Sequence, residues 1–154
     1  MTPESVQRNV VTLALAERTG QLVIDAGEAL PVPIGIATVS ALFRRDPPHE
    51  ADLEAAIDVI EEAVMPLAKS IPASSKLVAG NEFVRNLIDA STGRSESASA
   101  SIEAVESRFE ELAAAARRGV WTGAARMDST QAAGLMILRE FMHHTGFDRI
   151  ERSS

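Results

Sequence analysis

Two apolar extended runs around a short turn constrain the fold most, because they place a β-hairpin at the start of the chain. The runs cover residues 10–16 and 21–27. The turn between them ends in Gly20, which can adopt the positive φ that tight hairpin turns require. The continuation at residues 30–35 holds two prolines, which donate no hydrogen bond to a strand ladder. We therefore predict an N-terminal hairpin followed by an edge strand or the exit from the sheet.

Helical periodicity dominates the rest of the chain. Apolar residues recur at steps of three and four, with charged residues on the opposite side. Short apolar runs at residues 76–80 and 147–150 predict further strands, and the Ser-rich segment 92–100 predicts a mobile loop. The predicted helices cover residues 36–43, 49–65, 81–88, 101–118 and 128–144.

This order of elements predicts one mixed α/β domain over residues 10–151, with tails at 1–9 and 152–154. The later strands are expected to be parallel, and about five helices are expected to pack on the sheet. Three apolar helix stripes predict the core: Leu53, Ile57, Ile60, Val64, Phe109, Leu112 and Leu135.

The net charge of −7 disfavours nucleic acid and anionic membranes as partners, because neither attracts an acidic protein. The chain has no cysteine, which excludes disulfides, thiolate metal sites and cysteine nucleophiles. The sequence shows neither a signal-peptide pattern nor an apolar run of about 18–20 residues. We expect a cytoplasmic protein that contacts neither nucleic acid nor membrane.

Five residues are candidates for a ligand site, and none of them is interpreted as catalytic. Asp25 and Glu28 lie late in a strand and in the turn after it. Gly80, Asn81 and Glu82 lie between a short strand and a helix, whose N-terminal N–H groups can bind an anion. A helix capped for stability is the competing interpretation, because only one glycine is present and Glu82 would repel phosphate. The sequence has no P-loop, dinucleotide fingerprint or G-x-S-x-G elbow.

The histidines and the acidic residues predict no metal site. His143 and His144 are adjacent on a helix, so their side chains point about 100° apart and cannot chelate one ion. His49 has no second histidine near it in the sequence. The acidic residues of the helix over 49–65 are interpreted as its solvated face: Asp52, Glu54, Asp58, Glu61 and Glu62.

Four segments, taken in order, match the motifs of one known family. Residues 30–35 (LPVPIG) are similar to S-L-P-L-G, and residues 44–48 (RRDPP) are similar to R-x-D-P-P. Residues 78–83 occupy the place of a G-x-G-G-T turn, and residues 128–138 are similar to the helix R-A-D-x-I-x-A-G-A-x-I-L. Over roughly residues 10–151 the chain resembles the second half of the exopolyphosphatase and guanosine-pentaphosphate phosphohydrolase (Ppx/GppA) family. The resemblance implies one ribonuclease-H-like half of an actin-like ATPase fold.

The departures from that family bear on function. The resemblance implies a D-x-G-G-G-S phosphate loop before Val11, where the chain has residues 5–9, and AGNEF at 79–83 replaces the G-x-G-G-T turn. The sequence has no counterpart of the family's first half, which carries the catalytic carboxylate. One inner strand is also missing or shortened. We therefore expect a non-catalytic domain with an assembly or regulatory role and no cofactor. The alternatives are a phosphohydrolase for polyphosphate or guanosine pentaphosphate, completed by a partner chain and Mg²⁺, and an anion- or nucleotide-binding module at Gly80.

A solitary half of a two-part fold leaves surface uncovered, which predicts assembly. Exposed apolar patches above a few hundred Å² are unusual on monomers. Unpaired strand groups along residues 10–16 or 22–26 would also invite pairing, since neither span holds lysine or proline. We expect a homodimer that uses the hairpin or its flanking helices, because two-fold dimers are the commonest closed assembly. A companion protein is the alternative partner.

Overall fold

Six strands and five α-helices make up residues 8–153, the part of the chain that the computed structural model describes. The expected mixed α/β fold with about five helices is confirmed. The strands are β1 (Val10–Leu15), β2 (Gly20–Ile24), β3 (Glu28–Val32), β4 (Lys76–Ala79), β5 (Ser99–Ser101) and β6 (Arg149–Glu151). The helices are α1 (Ile36–Ser40), α2 (Glu50–Val64), α3 (Glu82–Thr92), α4 (Ile102–Arg118) and α5 (Ser129–Thr145), with 3-10 helices at Met65–Ser70 and Gly123–Ala125.

Strand β1 lies inside the sheet, whose order is β3-β2-β1-β4-β6-β5. Strands β1, β2 and β3 form an antiparallel meander, whereas β4 runs parallel to β1, β6 runs parallel to β4, and β5 runs antiparallel to β6. The expected unpaired strands at residues 10–16 and 22–26 are therefore wrong, because β1 and β2 are each hydrogen-bonded on both sides. The sheet is also continuous across β1, so the expected loss of an inner strand is wrong. The described sheet edges are β3 and β5.

Strand β3 is a separate strand and not the continuation of β2. The turn before it holds Asp25 and Ala26 at φ values of 51° and 57°. Aspartate tolerates this left-handed conformation but alanine rarely adopts it, so the sequence signal for this turn is weaker than that of an Asn-Gly or Asp-Gly pair. Pro31 lies opposite Gln21 in the ladder. The edge position inferred from the prolines is confirmed, since an edge strand tolerates a residue without an N–H.

The helices pack together on one face of the sheet. Alternate strand residues line that face, and Val11, Leu13, Leu22, Leu77 and Ile150 are each at most 2% exposed. The core residues expected from the sequence join the same apolar cluster, with Ile57 partly buried and the others buried. The described helices include none that is both long and apolar enough to cross a membrane.

The helices within residues 8–153 do not cover the other face of the sheet. In β1, Val11, Leu13 and Leu15 are buried, whereas the alternate residues Val10, Thr12 and Ala14 stay partly exposed. The register places Val23 and Val78 beside Thr12 on this face, where Val23 is partly exposed and Val78 is 9% exposed. We call this surface the open face: Val10, Thr12, Ala14, Gln21, Val23, Ala29, Pro31 and Val78.

The segment between α3 and α4 was predicted as a loop over 92–100, and its end forms strand β5. A network ties this segment to the domain: the Ser97 N–H donates to Asp89 Oδ1 at 2.9 Å, and Arg152 Nη2 donates to the same oxygen at 2.6 Å. Arg152 Nε also donates to the Ser97 carbonyl at 2.9 Å. The hydrogen bond from Arg152 lowers the pKa of Asp89. A three-residue strand of Ser, Ala and Ser carries too little apolar pattern to be predicted.

Asp52 is buried, which corrects its interpretation as part of a solvated face. Its Oδ1 accepts a hydrogen bond from Arg44 Nε at 2.9 Å, and its Oδ2 accepts from the backbone N–H groups of Arg44 and His49, each at 3.1 Å. Burial by itself raises the pKa of Asp52, but these hydrogen bonds outweigh that effect and hold the pKa below its usual range. The carboxylate therefore fixes the start of α2 against the preceding loop.

Acid is expected to weaken the fold through Asp52. Because the folded-state pKa is lowered, the contribution of Asp52 is complete above its unfolded-state value of about 4 and is lost as pH falls through the folded-state value. We expect Asp52→Asn to cost about 1–2 kcal/mol at neutral pH and to flatten the acid dependence below about pH 5. Urea unfolding followed by circular dichroism at several pH values measures both. Asp58→Asn, at an exposed position of α2, is the matched control; identical acid profiles for all three proteins would exclude this role.

Candidate functional site

Three chain segments meet at one end of the sheet, where the strands that run parallel to β1 have their carboxyl ends. They are the turn after β1, the segment after β3 and the turn after β4. Ligands of open α/β sheets commonly bind at such an end. The candidates Gly80, Asn81 and Glu82 lie here.

Gly80 holds the turn after β4 tightly against β1. Its N–H donates to the Leu13 carbonyl at 2.7 Å. A Cβ at this position would lie 2.7 Å from Thr12 Cγ2 and 2.9 Å from the Leu13 carbonyl oxygen. Close packing of two strands therefore explains the glycine without a ligand.

Both ends of the Asn81 side chain are engaged within the domain. Its Oδ1 accepts from the Val84 N–H at 3.1 Å and so caps α3, as expected. Its Nδ2 donates to the Leu15 carbonyl at 2.8 Å. Glu82 is exposed in the first turn of α3, where its carboxylate suits the helix dipole and repels an anion.

The start of α1 closes onto the turn after β1 in a similar way. The N–H groups of Ile36 and Ala37 donate to the carbonyls of Ala16 and Glu17 at 3.0 and 2.8 Å. A Cβ on Gly35 would lie 2.2 Å from the Glu17 carbonyl oxygen, so that only glycine fits this approach. The N–H groups that open α1 are therefore occupied by the chain itself.

Asp25 and Glu28 lie at the opposite end of the sheet from Gly80, Asn81 and Glu82. The six residues of β1 separate the two groups by about 16 Å. Both acidic residues are exposed, and Asp25 Oδ1 accepts from the Val10 N–H at 2.8 Å. The structure thus divides the five candidates into two groups that cannot share one small ligand. The expected Ser5–Asn9 place of the phosphate loop lies largely outside the described residues, since residues 1–7 are not among them.

A shallow hollow of about 420 Å³ lies on the open face beside the turn after β1. Its lining holds no titratable side chain, which is unlike an active site. The hollow is a depression in an apolar surface, lined by Ala14, Ala16, Thr19, Gly20, Gln21, Ala29 and Pro31.

A cluster that the sequence did not predict lies between α2 and α5. Glu61, Glu140 and His144 each offer one ligand atom, and these atoms lie within 4.8 Å of one another. Burial raises the pKa of Glu140; Arg139 opposes this effect, and the nearby Glu61 carboxylate adds to it. The spacing of Glu140 and His144, one helical turn apart, is a signal that could have found two of the three. The third comes from a helix 79 positions earlier in the chain.

Comparison of the sequence with family models and with curated proteins finds no match. Solved structures do match. The Aquifex aeolicus Ppx/GppA phosphatase, in its type II variant, gives a TM-score of 0.71 at 14% identity, over 98% of this chain and 55% of that chain. An exopolyphosphatase from Cytophaga hutchinsonii gives 0.70 at 15% identity, over 97% of this chain and 54% of that chain. The chain shares its fold with the Ppx/GppA phosphatases.

The expected resemblance is confirmed at the level of the fold. This chain spans about 55% of the length of the first Ppx/GppA structure that it matches, which agrees with the expected correspondence to one half of that protein. Within the Ppx/GppA fold, this chain closes the carboxyl end of its sheet with Gly35, Gly80 and Asn81. The shared fold does not itself carry an activity, because folds host many functions.

Proposed function

We propose that this chain is a non-catalytic domain of the Ppx/GppA fold that serves in assembly. The observation that carries the proposal is that the chain engages its own donors at the carboxyl end of the sheet. There, the Gly80 N–H, the Asn81 amide and the first N–H groups of α1 are all engaged in hydrogen bonds within the chain. Phosphoryl transfer depends on positioned donors that face the phosphate, and these donors face the protein.

The same sheet end offers the exposed carboxylate of Glu82, whereas Mg²⁺ is commonly held by one or two carboxylates together with substrate phosphates. Within residues 8–153, the one group of three His or acidic side chains close enough to share an ion is Glu61, Glu140 and His144. That group lies between α2 and α5 and away from the turns at Gly35 and Gly80.

We expect the purified chain to hydrolyse neither polyphosphate nor guanosine pentaphosphate in the presence of Mg²⁺. Released phosphate is measured over hours at micromolar protein, and the Glu82→Ala variant is assayed in parallel. Background from a contaminating phosphatase falls on repurification and is the same in both proteins. Turnover at an ordinary enzyme rate that survives repurification and is abolished by Glu82→Ala would overturn the proposal.

The assembly role rests on the open face. All-parallel sheets are almost always covered on both faces; in this mixed sheet the parallel strands β1, β4 and β6 are covered on one face by the described helices. The matched structures contain nearly as much chain again. Lys76 Nζ lies 3.8 Å from Glu151 Oε1, and both belong to the rows of residues on the open face. Lys76 and Glu151 therefore give the open face charges of both signs, so the open face of one copy does not repel the open face of a second copy.

We propose that a second copy of this chain covers the open face. The contact uses the N-terminal hairpin, as the sequence suggested, but through its face and not through an unpaired strand edge. A companion protein is the competing occupant, and it would leave the purified chain monomeric. The cytoplasmic location expected from the sequence stays a prediction.

A further inference from the structure

Three metal-ligating side chains meet between two packed helices, apart from the closed sheet end. Glu140 and His144 lie one turn apart on α5, and Glu61 projects from α2. His144 Nε2 lies 3.5 Å from Glu140 Oε1 and 3.9 Å from Glu61 Oε1.

The buried carboxylate of Glu140 is held in a fixed orientation. Its side chain is 5% exposed, and its Oε2 accepts a hydrogen bond from Arg139 Nη1 at 2.6 Å. Arg139 is itself fixed, because its Nε donates to Glu106 at 2.9 Å and its guanidinium lies 4.1 Å from the centre of the Phe109 ring. Glu140 Oε1 faces His144, 3.5 Å from its Nε2, and lies beside the Glu61 carboxylate. This outer contact aims a buried acceptor oxygen into the cluster, as contacts behind metal ligands do.

The spacing of the three side chains suits a tetrahedral ion. Zinc binds imidazole nitrogen and carboxylate oxygen at about 2.0–2.2 Å, which places neighbouring ligand atoms roughly 3.3–3.5 Å apart. The contacts of His144 Nε2 with Glu140 and Glu61, at 3.5 and 3.9 Å, are close to that spacing. Small rotations of the three side chains would bring their ligand atoms to this spacing. The buried neighbours Ile60 and Phe141 hold both helices in the core.

We propose that Glu61, Glu140 and His144 bind a divalent transition-metal ion, with Zn²⁺ as the representative. One imidazole and two carboxylates form a donor set that suits Zn²⁺ better than Mg²⁺ or Ca²⁺, which prefer oxygen alone. Glu61 and Glu140 supply two carboxylates to the ion, and Arg139 pairs with Glu140 from the side away from His144. The side chains of His144 and Glu61 are 25% and 37% exposed, so solvent reaches the site and can fill the fourth position. The ion would cross-link α2 to α5, a role separate from the proposed assembly.

The test is a titration of the purified full chain with Zn²⁺ alone, by calorimetry or by competition with a chromophoric chelator. His144→Gln is expected to lower the affinity at least about tenfold, since even the loss of an outer-shell partner costs that much. His143→Gln is the matched control: it removes the adjacent imidazole, which lies 3.4 Å from Glu106 and is 58% exposed. The control is expected to change the affinity less than twofold.

A second variant keeps the test independent of folding defects at His144. Glu61→Gln changes a partly exposed side chain on α2 and is expected to weaken Zn²⁺ binding to a similar extent. Zinc is also expected to raise the melting temperature of the wild-type chain and of His143→Gln, but not that of His144→Gln or Glu61→Gln. Absence of Zn²⁺ binding to the wild-type chain would overturn the proposal. Equal affinities for His143→Gln and His144→Gln would also overturn it.

Discussion

Replacing Leu135 by aspartate is expected to lower the free energy of unfolding by about 4 kcal/mol or more, because it removes a packed leucine and buries an unpaired charge. Leu135 is 1% exposed and lies at the centre of α5, the helix that packs against α1, α2 and α4. Domains of this size are stable by roughly 5–15 kcal/mol in total. The variant is therefore expected to lose a large part of its stability and to unfold at a much lower urea concentration, as read by circular dichroism and by the fluorescence of the single tryptophan, Trp121.

The matched control places the same charge on an exposed apolar helix position. Val59 on α2 is 37% exposed, and Val59→Asp is expected to change stability by less than about 1 kcal/mol. An unfolding midpoint for Leu135→Asp as high as that of Val59→Asp would show that α5 is not the central buried helix.

Introducing lysine at Val23 is expected to convert the proposed dimer to a monomer. Val23 lies within the open face, between Thr12 of β1 and Ala29 of β3. A two-fold contact through this face brings two copies of the new charge into one apolar interface, and like charges placed together there cost several kcal/mol. The folded chain itself tolerates the change, because Val23 lies outside the apolar core.

Val59→Lys is the matched control for this substitution. It introduces the same lysine at a partly exposed valine on α2, away from the open face. Its mass in solution is expected to equal that of the unsubstituted chain, while circular dichroism shows both variants folded. A Val23→Lys protein that keeps the dimer mass would place the interface elsewhere.

Local sequence pattern was sufficient to predict most of the fold, because its helices carry regular apolar stripes and its caps are typical. Asn81, Ser101 and Asp128 cap α3, α4 and α5 with their side chains. Strand β3 was not separated from β2 in the prediction. The turn between them places Asp25 and Ala26 in a left-handed conformation, and this pair of residues is not typical of a tight turn. Strand order could not be read from the chain either, since β6 lies between β4 and β5 through contacts distant in sequence.

The candidate site residues show more clearly what local sequence pattern does not predict. Periodicity placed Asp52 and Glu61 on one solvated face, and it is tertiary contact with Arg44 and with α5 that gives them other environments. Gly80 was a candidate for phosphate contact because glycine before a helix permits close approach. In the folded chain the group that approaches is β1 itself. A glycine can be required because another group lies very close to it. A single sequence does not show whether that group is the protein backbone or a ligand.

The mass of the purified chain in solution tests the central claim most directly. A non-catalytic assembly domain whose open face is covered by a second copy should be a dimer at micromolar concentration. Multi-angle light scattering after size exclusion is expected to give a mass near twice 16.4 kDa. A single species near 16.4 kDa across that concentration range would contradict the account.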